Sequence, residues 1–300
     1  MEKKLTIGIV TMNRAEQLAQ AICSCLRTAL PVETEFIVID NASIDDTREV
    51  VKGILENCGY AYYYEKLPEN IGCGKGRNYA FSKSCGEYYY SLDDDAIIDE
   101  QCRDFFTYAI DVLDRNTEIV TLTTQIYDMA WKGNRLEETS VKMSDGLYEC
   151  KMFCGGSHFL RRSFFKDEPY FSNKYGYEEI PPSLYVADAG CKNVFCPSIR
   201  IIHKPKVNKW DHGNEKNHEL LINECVLQYA IKKAVYPRIL SPILYIAYLR
   251  RCQQYLKQIP NWKRHTDKLL KQEEDRTKIL RRIRLKTVIN LNRKFGKAIF

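Results

Sequence analysis

Four short apolar runs, each followed by a stretch with helical spacing, constrain this chain more than anything else in it. Residues 5–10, 36–40, 60–64 and 88–92 have the length and the β-branched or aromatic composition of strands, the first and the last of buried ones. The helices between them open on readable signals. Asn13 with Glu16 three residues on has the form of a capping box, for a helix running to about Thr28. Ser43 with Asp46 starts a second helix that stops near Gly59, and a glycine-rich loop at 70–78 opens a third that ends at Gly86. Strand and helix in alternation predict an α/β fold, a mostly parallel sheet with helices on both faces. At 300 residues the chain is long enough to bury an ample core.

Two of the runs end in acids. The second closes on Asp40, and the fourth runs straight into Asp93-Asp94-Asp95. Three adjacent carboxylates repel one another, and they become favourable when a hard divalent cation or the hydroxyls of a ligand take up their oxygens. In open α/β sheets ligands gather at the carboxyl ends of strands, where these acids would lie. An acidic turn leading into a helix, with Asp99 as its N-terminal acid, would carry the same letters. A second acidic site, Glu178-Glu179, precedes Ile180-Pro181-Pro182. Prolines suit a first helical turn, and Ile180, standing before a proline, is expected to be extended, so both glutamates fall just ahead of a helix that runs to Gly190.

The glycine-rich loop contains Asn70, Gly72, Gly74, Gly76, Arg77 and Asn78. It lacks the closing Gly-Lys-Ser/Thr of a P-loop and does not supply G-x-G-x-x-G after the first strand, which disfavours a dinucleotide site. Its amides at a helix start, with Lys75 and Arg77, suit an anion; a tight turn with solvated basic residues would look the same. Further on, 104–116 reads as a helix and 118–126 as a strand. The polar stretch 127–147 reads as a functional loop or hairpin excursion. Residues 148–160 read as a strand interrupted by Gly155-Gly156, a place where a ligand approaches the backbone closely. Residues 193–203 form a last strand ending at His203, and 207–217, with Trp210, Asp211 and His212, is loop-like. A helix over 220–233 follows, and Pro237 and Pro242 break the chain before a basic, aromatic C-terminal region.

The net charge of +6 is unevenly spread. Residues 250–300 hold 16 Lys/Arg and 4 Asp/Glu, a charge of +12, which leaves −6 on the first 249. A basic tail on an acidic body suits an anionic surface, as peripheral contact with an anionic membrane, or a solvated helical pair packed on the body. Within that tail Ile279, Leu280 and Ile283 have helical spacing among Lys278, Arg281, Arg282 and Arg284, and Trp262, Tyr245, Tyr248 and Tyr255 suit an interface. The chain has no run of about 18 apolar residues and no readable secretory signal, so neither a membrane span nor export is expected. The twelve cysteines show no paired C-x2-C spacing and are read as reduced thiols of a cytoplasmic protein.

Taken together, Thr11-Met12-Asn13-Arg14, Ile39-Asp40-Asn41-Ala42-Ser43 with Asp46-Thr47, the glycine-rich block, Asp93-Asp94-Asp95, and Glu178-Glu179 followed by Gly190, Pro197 and His203 occur in a set order. This set resembles family-2-type glycosyltransferases of the GT-A fold, the bacterial group that includes rhamnosyl- and galactosyltransferases. The resemblance implies a catalytic domain over 1–205 that binds nucleotide-sugar and acceptor, with 206–300 as a helical extension. It also implies an inverting transfer from a UDP- or dTDP-sugar to a glycan or lipid-linked acceptor in cell-surface polysaccharide synthesis. By position, Thr11, Asn13, Arg14, Asp40, Asn70, Gly72, Arg77, Asp93 and Asp94 would bind the nucleotide-sugar. Asp95, Asp93 and His203 would hold Mg²⁺ or Mn²⁺. Gly155, Gly156 and Ser157 would border the acceptor and sugar pocket, and Glu179 would be the general base, with Glu178 the acid beside it.

One block departs from the family pattern. Where many members carry Asp-Leu and then Arg after the acidic pair, this chain carries Pro181-Pro182 and Tyr185. The substitution is the sequence support for an alternative, a catalytically inactive nucleotide-sugar-binding or scaffold protein. A nucleic-acid-binding role would use the basic tail and leave the acidic body and Asp cluster unexplained, and no nucleic-acid module is recognised.

Overall fold

A computed structural model describes residues 3–135, 140–166, 168–173, 176–205 and 217–296. The chain divides into two compact units, Met1–Val186 with Gly190–Pro205, and Ala187–Ala189 with Lys206–Phe300.

The first unit is built on one sheet. β1 (Leu5–Thr11), β2 (Thr34–Asp40), β3 (Ala61–Lys66) and β4 (Tyr88–Asp93) are the four apolar runs of the sequence, and they pair in parallel in the order β3-β2-β1-β4. The chain moves outward from β1 through β2 to β3 and then returns to β4 on the other side of β1. That makes the gap between β1 and β4 a topological switch point, where α/β sheets form crevices for ligands. Beyond β4 lie β10 (Ser157–Arg161), β6 (Ile119–Asp128) and β11 (Lys192–His203). β6 and β11 run parallel to one another, while β10 is antiparallel to both of its neighbours, β4 and β6. The stretch expected as one interrupted strand is therefore two strands in different places: β9 (Tyr148–Cys150) lies on the far side of β11, and β10 on the near side of β6.

Alternation along the strands sends side chains to two faces. Leu5, Ile7, Ile9, Phe36, Val38, Tyr88, Tyr90 and Leu92 pack in one core with α1 (Ala15–Leu26), α2 (Thr47–Leu55) and α4 (Phe105–Arg115). Ile37, Ile39, Tyr89 and Leu160 pack in the other with Ala80 and Phe81 of α3 (Cys73–Lys83). Helices on both faces follow. The three tyrosines of β4 are fully buried. Tyr90 packs edge-on to Phe105 and Phe106, with ring centroids 5.5 and 5.1 Å away, contacts worth roughly 1 kcal/mol each beyond area burial. Tyr89 lies across β1, so close that a Cβ on Gly8 would sit 2.1 Å from its hydroxyl. Only glycine fits there.

The capping box expected at Asn13 does not form. Asn13 has φ +53° and its side-chain oxygen accepts from the Ile44 amide, 2.8 Å away. The start of α1 is capped from outside instead, by Asp45, whose carboxylate accepts from the Ala15 amide at 3.0 Å. This side-chain exchange pins the loop after β1 to the loop after β2, and it sets where both strand ends deliver their polar residues.

In the second unit α6 (His218–Val235) packs against α7 (Ser241–Leu256) and α8 (Trp262–Arg276). Tyr229 and Tyr248 stack at 4.5 Å between α6 and α7. Pro242 stands in the first turn of α7, so this proline starts a helix rather than breaking one. The expected helix around residues 279–283 is absent: a 3-10 turn at Thr277–Ile279 gives way to extended chain before α9 (Leu285–Phe295). Ile283 is buried there and its amide donates to the Val235 carbonyl. Arg281, Arg284 and Thr287 all bond the carboxylate of Asp188. Of the three apolar residues behind that spacing only Ile283 is an anchor, and Ile279 is 81% exposed. The loop-like reading of 207–217, with Trp210, Asp211 and His212, lies outside the described residues apart from Asn217.

Candidate active site

The parallel strands bring their carboxyl ends to one edge of the sheet. Thr11 ends β1, Asp40 ends β2, Asp93 ends β4, Asp128 ends β6 and His203 ends β11. All five carry polar side chains, and two clusters form from them and the loops that follow.

The first cluster is acidic and open to a cation. One oxygen of Asp93, one of Asp95 and a ring nitrogen of His203 all lie within 4.8 Å of one another. His203 Nε2 is 3.2 Å from Asp95, and its Nδ1 is 2.9 Å from Asp128, which is almost fully buried and also holds Arg135 at 2.6 Å. A buried carboxylate on Nδ1 fixes the ring and leaves Nε2 turned toward the aspartates, the arrangement that supports metal-binding histidines. Two carboxylates and an imidazole suit a divalent cation that keeps some of its waters. Arg14 bonds both Asp94 and Asp95 at 2.7 Å, and the Thr11 hydroxyl donates to Asp94 at 2.8 Å. Burial pushes the Asp94 carboxyl up to about 6 in spite of Arg14. Burial also opposes the charge of Asp95, but the hydrogen bond and charge of His203, with Arg14 behind them, outweigh it and hold Asp95 below its ordinary value.

The second cluster surrounds Arg77 in the first turns of α3. Its guanidinium is buried and reaches Asp93 at 2.6 Å, Glu178 at 2.5 Å and Glu179 at 3.1 Å, while the Gly155 carbonyl accepts a fourth bond at 3.0 Å. Burial works against the charge of Arg77, and Cys73 and the three acids around it more than restore it, holding it well above its ordinary value. One cation thus serves three carboxylates. The consequence falls on Glu179, which burial and the neighbouring Glu178 push up to about 8, Arg77 only partly offsetting them. Glu178 Oε2 is buried with no hydrogen-bond partner among the described residues.

The remaining residues singled out from sequence divide. Asp40 lies at the adjoining strand end, accepting from the Ser43 amide and from the Tyr64 hydroxyl, each at 2.7 Å. Asn70 accepts from the Gly72 amide, and Gly72 has φ +88° at the entrance to α3, a conformation glycine adopts without strain. Gly155 and Gly156 stand against the acids: a Cβ on Gly155 would be 2.0 Å from Glu179 Oε1, and one on Gly156 would be 3.4 Å from Asp93 Oδ2. Ser157, expected to border the pocket with them, is instead fully buried, its hydroxyl bonded to Tyr90 and Thr124 at 2.7 Å each. As the first residue of β10 it points into the sheet's core. Ile180, expected extended, is the first residue of α5 (Ile180–Asp188), and Pro181-Pro182 occupy its opening turn without removing Glu179 from Arg77.

Sequence reasoning missed Asp128 and Arg135. The signal was there for Asp128, since β6 is a third apolar run closed by an acid, two residues beyond where the strand was expected to stop. For Arg135 there was none, because it lies in the irregular excursion that follows β6.

The fold and this strand-end site define a class, the GT-A fold. Among solved structures, residues 1–349 of S. aureus TarS in complex with UDP-GlcNAc match with a TM-score of 0.61 at 16% identity, covering 88% of this chain and 78% of that one. The mannosyltransferase PcManGT from Pyrobaculum calidifontis, in complex with GDP-Man and Mn²⁺, matches with a TM-score of 0.58 at 16% identity, covering 92% and 86%. GalNAc-T7 with UDP, GalNAc and Mn²⁺ matches with a TM-score of 0.57 at 14% identity over 71% of this chain and 46% of that one. The family model described as Glycosyl transferase family 2 matches residues 6–168, more than half of the chain, and the chain belongs to that family. The uncharacterized glycosyltransferase MG060 homolog of Mycoplasma pneumoniae is 24% identical over 197 residues, and the chain spans 62% of the length of that relative, as the match spans 62% of this one.

Proposed function

We propose that this chain is an inverting, metal-dependent glycosyltransferase that moves a sugar from a nucleoside-diphosphate donor to a glycan or lipid-linked acceptor in cell-surface polysaccharide synthesis. The observation that carries the reading is the division of labour along one sheet edge: Asp93, Asp95 and His203 on one side of Arg77, Glu178 and Glu179 on the other. Complexes of the structural neighbours with UDP-GlcNAc, with GDP-Man and Mn²⁺, and with UDP, GalNAc and Mn²⁺ support the same assignment.

In this reading Asp93, Asp95 and His203 hold Mg²⁺ or Mn²⁺, which would neutralise the diphosphate of the donor and ease its departure. Thr11, Asn13, Arg14, Asp40, Asn70, Gly72 and Asp94 line the nucleotide side. Asp40 keeps acceptor capacity for a base N–H beyond its bonds to Ser43 and Tyr64, which suits a uracil or thymine ring. Glu179 takes the proton of the acceptor hydroxyl. That oxygen forms the new bond to the anomeric carbon as the bond to the diphosphate oxygen breaks, and a single displacement inverts the centre. Arg77 positions Glu179 against Asp93, and the Gly155-Gly156 backbone leaves room for the sugar beside them.

Calorimetry with UDP, dTDP, GDP and CMP, each with and without Mn²⁺, tests the donor side. Tight binding of one diphosphate that requires the metal, and is lost in Asp95→Ala, is the expected result. Nucleotide affinity indifferent to both metal and Asp95 would remove the metal role from this site.

A further inference from the structure

We infer that α7 is a membrane-surface helix, which lays this protein on an anionic lipid bilayer without crossing it. The inference does not depend on the proposed reaction. Leu244, Tyr248, Cys252 and Leu256 form the buried face of α7. On the opposite side Ile243 and Ile246 are 47% and 50% exposed, and Ile239, in the turn just before the helix, is 73% exposed. These three isoleucines stand four and three residues apart, on one face. The same line continues through Arg250 and Lys257, both exposed. The outer face of the helix is therefore apolar in its first half and basic in its second.

That order of chemistry selects the occupant. A second copy would have to pair α7 with itself. In parallel pairing the isoleucines meet, but Arg250 is set against Arg250 and Lys257 against Lys257. In antiparallel pairing over the length of the helix the isoleucines of one copy meet the basic half of the other. One arrangement brings like charges together and the other lays charge on the apolar stripe. An anionic bilayer accepts both halves, isoleucines at the headgroup–acyl boundary and basic side chains among the headgroups. The charge of +12 on residues 250–300 adds attraction of the same sign. Among the described residues no helix is long and apolar enough to cross a membrane, so the helix lies on the surface.

The test is co-sedimentation of the full chain with phosphatidylcholine vesicles, with and without phosphatidylserine, at low and high salt. Binding that requires phosphatidylserine is expected. Ile243→Ser with Ile246→Ser should weaken it about tenfold at either salt, by the apolar area withdrawn. Arg250→Ser with Lys257→Ser should weaken it about 30-fold at low salt, with a smaller loss at high salt. Thermal melts by circular dichroism check that the variants fold. Should the isoleucine pair fail that check, Ile239→Ser alone carries the apolar arm. Absence of binding to anionic vesicles, binding unchanged in both pairs, or self-association of the wild type that is abolished by the isoleucine substitutions would each overturn the inference, the last by naming a second copy as the occupant.

Discussion

Arg77 decides what the carboxylates around it can do. A buried guanidinium facing three acids leaves Glu179 short of compensation, and its carboxyl is pushed up to about 8 by burial and by Glu178. A general base works only when deprotonated. In the proposed reaction, transfer should therefore fall about tenfold per pH unit below about 8 and level off above it. A pH–rate profile at low acceptor concentration measures this directly, and a flat profile between pH 6 and 9, on the order of three units, would move the base elsewhere. Glu179→Gln should keep donor binding and lose transfer. Gly155→Ala offers a finer probe. Its new Cβ would collide with Glu179 Oε1, the far end of a flexible side chain, so the fold should survive while the base is displaced. The expectation is a melting temperature close to wild type with transfer down by roughly 100-fold; transfer at wild-type rate would mean Glu179 does not act from the position it occupies here.

Elements differed in how well the sequence announced them. β1, β2 and β4 were legible because each is a short apolar run bounded by turn residues, and burial on both sheet faces demands that composition; β3 is the exposed edge strand, legible by its tyrosines and not by burial. The antiparallel insertion of β10 was not, since its partners β4 and β6 are far away in sequence and no local pattern specifies a partner. Asp40 and Asp93 to Asp95 were legible because a short run closed by carboxylates is conspicuous, Glu178 and Glu179 because they stand ahead of a proline-started helix, and Asp128 was missed because the strand was expected to stop at Ile126. Arg77 was read as a basic residue for an anion or the nucleotide-sugar, because nothing local says that Glu178 and Glu179, a hundred residues on, will close around it. The stretch before α9 was misread for the opposite reason, a helical spacing in a connector held by unrelated contacts. Those contacts make a prediction at this scale. Asp188 accepts from the Arg284 amide at 2.9 Å and the Thr287 hydroxyl at 2.6 Å and pairs with Arg281; burial opposes its charge, but these bonds hold its carboxyl well below the usual range. Asp188→Asn should cost about 2 kcal/mol of stability in the second unit at neutral pH. A carboxyl lowered by folding contributes in full above its unfolded value of about 4 and loses that contribution as pH falls toward the folded value, so the gap between wild type and Asp188→Asn should narrow in acid. Denaturant melts at pH 7 and at about pH 3 measure both.

For the molecule as a whole, the division into two compact units predicts two unfolding events. All proposed donor and metal ligands lie in the first unit, so Mn²⁺ with its cognate nucleoside diphosphate at 100 times the dissociation constant should stabilise that unit by about 2.7 kcal/mol. Calorimetric scans should show one transition moving and the other standing still; a single transition that shifts as one would mean the units unfold together. The reversed strand β10 has a consequence of its own. Because β6 delivers the chain to the site edge at Asp128 and β10 takes it away from that edge at Ser157, the whole excursion between them begins and ends beside the acids. Both ends of the excursion are tied to those acids, Arg135 to Asp128 at 2.6 Å and the Gly155 carbonyl to Arg77, itself paired with Asp93, at 3.0 Å. A chain of this build can therefore change what it presents beside the acids by rewriting residues between those two ties, as surface segments readily allow, while β1 through β4, which carry Thr11, Asp40 and Asp93, keep their sequence.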